Sequence, residues 1–159
     1  MVSVSKIERL AVSGRVDALL EEIGMSGHTL PPALRAGPVE PGALRLAAAG
    51  LGLLRAVELT YQPVPASVRL AETVCGMFEH EARAGNLAQR EGGSGGGAGC
   101  AAGWSAAVQI AAGALRAFLD QDATGGRWLE PRLRRRFEAV VERVRPGAGS
   151  SAHTLSAAA

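Results

Sequence analysis

The densest charged stretch of the chain is Arg132-Leu133-Arg134-Arg135-Arg136, four guanidinium groups within five positions. Charges this close repel, and phosphates or carboxylates relieve the repulsion, so Arg132, Arg134, Arg135 and Arg136 form a candidate contact for an acidic protein partner or for RNA or DNA. Two features weigh against nucleic acid. Glu138 stands four residues after Arg134 as a partner on the same helix face, and no aromatic residue is interleaved for base stacking. The plainest expectation is therefore a solvated, partly salt-bridged face.

The next cluster is Glu79-His80-Glu81, following Glu72 and Cys75. A di-iron bundle places Glu-x-x-His pairs on two facing helices, whereas here Met77 stands three residues before His80 and no second such helix exists. Ala82, Ala84 and Gly85 would give access to His80 as a phosphotransfer histidine, but the spacing does not reproduce the pattern of such modules, and His28 and His153 fall in a connector and a tail. Cys75 lies on an apolar helix face and reads as a small core residue. Cys100 sits in a glycine-rich run without a placed base, so it is not a nucleophile by design. That run, GGSGGGAG, lacks the Lys-Ser/Thr of a phosphate loop and follows no strand. No catalytic, metal or cofactor-binding residue is assigned, and the chain is expected not to be an enzyme.

The elements that would position these residues are helices. The 159 residues are 47% hydrophobic but only 4% aromatic, and the apolar fraction is mostly Ala, Leu and Val, which suits close-packed helices better than a sheet. The central one is Pro41–Tyr61, apolar on nearly its whole circumference and opened by a proline, with only a strip of Arg45, Gly52 and Arg55 left for water. Around it the periodicity predicts helices over about 4–23, 65–85, 104–120 and 130–145. Trp104, Val108, Ala111, Leu115 and Phe118 give the cleanest repeat. Residues 25–39 hold too many Gly and Pro for a regular element, 90–103 read as a flexible glycine-rich loop, and 147–159 read as a disordered tail. Asp120 and Asp122 close the fourth helix, an awkward place for two acids because they oppose the helix dipole.

The fold expected is all-α: a single domain over 1–146, built as a five-helix bundle of antiparallel hairpins around the central helix. The alternative is two stacked helix pairs, a layout similar to HEAT or armadillo repeats but without a repeat consensus. Charge is unevenly placed. Residues 1–126 carry ten Lys or Arg against twelve acids, and residues 127–145 carry seven Arg against three Glu. Two cysteines make no disulfide framework, and the longest uncharged apolar run, Leu46–Leu54, is far short of a bilayer span, so a soluble intracellular protein, cytoplasmic or nuclear, is expected. The function expected is a non-enzymatic interaction module, an adaptor or subunit of a larger assembly with a protein partner. Its rival is a nucleic-acid-associated subunit using the last helix.

Overall fold

The computed structural model describes residues 3–24, 30–34, 40–85, 97–126 and 128–144. Within them the chain forms six α-helices and a short 3-10 turn, and no strand. Ser3 caps the first: its hydroxyl accepts the Lys6 amide hydrogen at 3.2 Å, and α1 (Val4–Val12) follows. The single helix expected over 4–23 is broken. Gly14 takes φ +73°, its N–H donates to the Ala11 carbonyl, and the N–H of Arg15 reaches the Leu10 carbonyl. These two bonds are the Schellman stop, and the left-handed residue they require is a glycine. The chain restarts as α2 (Val16–Glu22), which closes on Gly24, φ +79°, whose N–H donates to the Glu21 carbonyl.

After the 3-10 turn at Pro32–Leu34 comes α3 (Pro41–Leu59), two residues shorter than expected. It packs against α1, α2, α4 and α5, and its Ala43, Leu46, Ala47, Ala49, Leu53 and Ala56 are fully buried. Its glycines set how close the neighbours come. A Cβ on Gly50 would stand 3.2 Å from the Ala111 backbone of α5, and one on Gly52 would stand 2.9 Å from the Ile7 side chain of α1. The strip expected to face water is thus corrected. Arg45 is exposed, but Gly52 is buried beneath α1 and α2, and the more open side of α3 carries the half-buried Leu44, Leu51 and Leu54.

A five-residue turn folds α4 (Pro65–Arg83) back along α3. The buried Ser67 hydroxyl braces the start of α4, accepting the Val64 amide hydrogen and donating to the Val64 carbonyl. The largest departure from expectation is α5, which runs Gly97–Thr124 where a loop was read up to Gly103 and a stop at Asp120. Once Trp104 onward is helical, adding a residue at its front costs no new nucleus, and the alanines among 97–103 offset the roughly 1 kcal/mol penalty of each glycine. Residues 90–96 and 147–159 lie outside the described residues. Last comes α6 (Pro131–Val144), whose Phe137 meets Phe118 of α5 edge to face at 6.0 Å between ring centres. Side chains from all six helices share one core. Among the described residues no helix is long and apolar enough to cross a membrane.

Candidate functional site

The four arginines singled out in the sequence leave α6 in different directions. Arg134 turns back on the α5–α6 connection, donating from Nη2 to Asp122 Oδ2 at 3.2 Å and to the Leu129 carbonyl at 2.9 Å. Asp122 is only 1% exposed, and its other oxygen accepts the Leu129 amide hydrogen at 2.8 Å. This explains Asp122 at the end of α5. Asp122 does not face the helix carbonyls at all; it crosses the turn and fixes the start of α6. The helix-face partner expected for Arg134, Glu138, is not the one it uses.

Arg136 grips α4. Its Nε and Nη2 donate to both carboxylate oxygens of Glu79, with the shortest contact 2.6 Å, a forked pairing that joins residues 57 positions apart. These hydrogen bonds hold the Glu79 carboxyl below its ordinary range, against the opposing effect of partial burial, and they raise Arg136 above its own. Cys75 lies beneath the pair, its thiol 3.6 Å from Glu79 Oε2. Burial first, and the Glu79 charge second, push that thiol up to about 12, so at neutral pH it carries its proton and is no nucleophile. The solvated face expected of these arginines is therefore corrected at Arg136: an acid from a neighbouring helix draws it in. Arg132 and Arg135 are exposed and make no ion pair with a described residue, and Arg143 stacks its guanidinium 5.8 Å from the Phe78 ring.

Of the Glu79-His80-Glu81 cluster, His80 is exposed, while Glu81 Oε2 comes close over Gly42 in the first turn of α3, where the helix dipole favours an anion. The three side chains diverge. Among the described residues no group of three or more His, Cys, Asp or Glu is placed to hold a metal ion.

What the fold does gather lies between elements. An open groove of about 590 Å³ runs between α5 and α6, with Leu119, Ala123, Ala139 and Val141 as its apolar surface and Arg116, Asp120, Glu138 and Glu142 along its margins. A smaller cleft of about 260 Å³ lies among Phe78, Trp104, Val108 and Val144. The chain matches no family model, and no curated protein or solved structure matches it. The site thus rests on its own geometry.

One further feature escaped the sequence. Phe78, Trp104, Phe118 and Phe137 are buried, but Tyr61 is 100% and Trp128 69% exposed, and both lie on turns that touch. The Gln121 amide donates to the carbonyls of Val57 and Thr60 at 3.1 and 2.7 Å, and Gly125 abuts Gln62. Trp128 spends its only donor internally, on the Gly125 carbonyl at 2.6 Å.

Proposed function

We infer that the chain is a non-enzymatic helical interaction module, an adaptor or subunit of a larger protein assembly, folded as a bundle around α3. The observation that carries this is the groove between α5 and α6. Its α5 wall is Arg116, Leu119, Asp120 and Ala123. Opposite it, Ala139 and Val141 continue the small apolar surface. An amphipathic helix from a partner fits such a trough: a narrow apolar stripe lies on the alanines, and charges of either sign meet Arg116 and Asp120 on one margin and Glu138 and Glu142 on the other. The soluble, cytoplasmic or nuclear setting belongs to the same reading.

The test uses Ala123→Glu and Ala139→Glu, both at exposed positions, with circular dichroism to verify the fold. The full chain is recovered from its native cell after mild cross-linking, and amide exchange is read on the recovered complex. Protection over 116–123 and 134–142, lost in both variants, is the expected result. Partners retained by both variants, or protection confined to other helices, refute the reading.

A second reading, contact with RNA or DNA phosphates, is favoured only by the exposure of Arg132 and Arg135. Arg134 and Arg136 are already neutralised by acids of this chain, and the exposed charges from Glu130 to Arg143 are three arginines and three glutamates. Measurable oligonucleotide affinity that falls steeply with salt, and weakens in Arg132→Ala and Arg135→Ala, would turn the assignment to nucleic acid.

A further inference from the structure

The geometry points to a small-molecule site apart from the α5–α6 groove: the cleft of about 260 Å³ where α4, α5 and α6 meet takes a small organic monocarboxylate, an apolar body bearing one carboxylate. Its apolar lining comes from all three helices, Phe78 from α4, Trp104 and Val108 from α5, and Val144 from α6. Phe78 and Trp104 are 2% and 6% exposed and belong to the shared core, so this floor is in place before anything binds. The polar groups are few. Ser105 and Gln109, both exposed and one turn apart on α5, bring a hydroxyl and an amide to the rim.

Arg143 selects the ligand. Among the described residues lining the cleft it alone is charged, and its guanidinium stands 5.8 Å from the centre of the Phe78 ring. Arg69, Arg134 and Arg136 each reach an acid on another element, whereas Arg143 makes no ion pair with a described residue. Neither Glu142, which lines the α5–α6 groove, nor Glu81, which lies over Gly42, lines this cleft, and Arg145, outside the described residues, has the same sign as Arg143. The ring contact draws on the cation's charge and occupies none of its N–H donors, which form a fork matched to the two oxygens of a carboxylate. An anionic head is thus attracted to one end, and the apolar floor favours a body without further charge. Larger anions do not fit. The volume lies below the about 300–1,000 Å³ of sites that hold drug-sized ligands, too little for a nucleotide, and a phosphate dianion would meet one cation and an apolar wall.

Two-dimensional amide NMR of the full chain, titrated in turn with benzoate, phenylacetate and cyclohexanecarboxylate into the millimolar range, tests this. Saturable shifts centred on residues 104–109 and 143–144 and on the Trp104 indole are expected, and the uncharged amide of the same acid should bind about tenfold more weakly, as loss of a charge-assisted hydrogen bond implies. Arg143→Met keeps an apolar stem over Phe78 and should weaken binding by the same factor. Ser105→Phe, which fills the cleft from its exposed rim, should abolish it, and Ala139→Glu, in the groove, should leave it unchanged, which separates this site from the one proposed above. The spectrum of each variant reports its fold. No saturable shift with any of the three acids overturns the proposal, and so do shifts centred on other residues, equal affinity for acid and amide, or indifference to Arg143→Met.

Discussion

Asp122→Ala should be among the most damaging single substitutions outside the apolar core. The carboxylate is 1% exposed and accepts two hydrogen bonds, from the Leu129 amide and from Arg134. A hydrogen bond involving a charged group contributes about 1.5–3 kcal/mol, and a buried N–H left without a partner costs about 1–3 kcal/mol. Removing the side chain orphans the Leu129 amide and leaves a guanidinium whose side chain is only 21% exposed without its acid, so the loss should be roughly 3–5 kcal/mol. That is a large share of the about 5–15 kcal/mol that holds a typical domain together. Asp122→Asn keeps an acceptor for Leu129 and should lose roughly 1–2 kcal/mol. Equilibrium urea unfolding, read by far-UV circular dichroism, gives these differences from the midpoints if the slope is unchanged. Arg134→Met in the same background completes a cycle, and the two losses should fall short of adding. A cost for Asp122→Ala under about 1 kcal/mol, or strict additivity with Arg134→Met, would refute the role given to this carboxylate.

The Arg136–Glu79 pair predicts an acid-side effect. The folded carboxyl titrates below its ordinary 4.5, so its contribution is present above that value and fades as pH falls through the lower folded one. Glu79→Gln should flatten this part of the urea-midpoint profile, and an unchanged profile would count against the pairing. Cys75 acts at the other end. Its thiol rises from 9.0 to about 12, so stability should decline between those values as the unfolded chain ionises first. Cys75→Ala should remove that decline, and in a Cys100→Ser background native protein should resist thiol reagents until unfolded. The glycines predict opposite signs. Gly113 is exposed with open space around it, so Gly113→Ala should gain up to about 1 kcal/mol, whereas Gly50→Ala should drive α3 and α5 apart and lose about 1–2 kcal/mol net. Thermal melts of the two variants decide it.

The helical class and the hairpin of α3 and α4 were legible because prolines and apolar spacing are local signals. Trp104, Leu115 and Phe118 occupy the buried positions their spacing indicates. The elbow at Gly14 was also written in the chain, but a glycine within a periodic run reads equally as a weak helical residue or as a stop, and only hydrogen bonds from the following amides decide between them. The early start of α5 was not legible, since glycine content reports backbone freedom and not the helix it borders. Least readable were the partners of Arg134 and Arg136. Asp122 was visible as an acid in an electrostatically awkward place, which is a signal that something compensates it. Glu79 carried no such mark, because its partner lies on another helix. A run of arginines in sequence therefore overstated how much positive charge the folded surface presents.

The forked contact at position 136 also bears on the chain's arginine-rich composition. Two nitrogens separated by a planar carbon match the two oxygens of Glu79, and an ammonium group, with a single nitrogen, cannot span them. Whatever tilted this chain toward arginine, exchange for lysine is closed at that point without loosening the sixth helix from the fourth. At Arg132 and Arg135, where the side chains meet water, the two cations remain interchangeable.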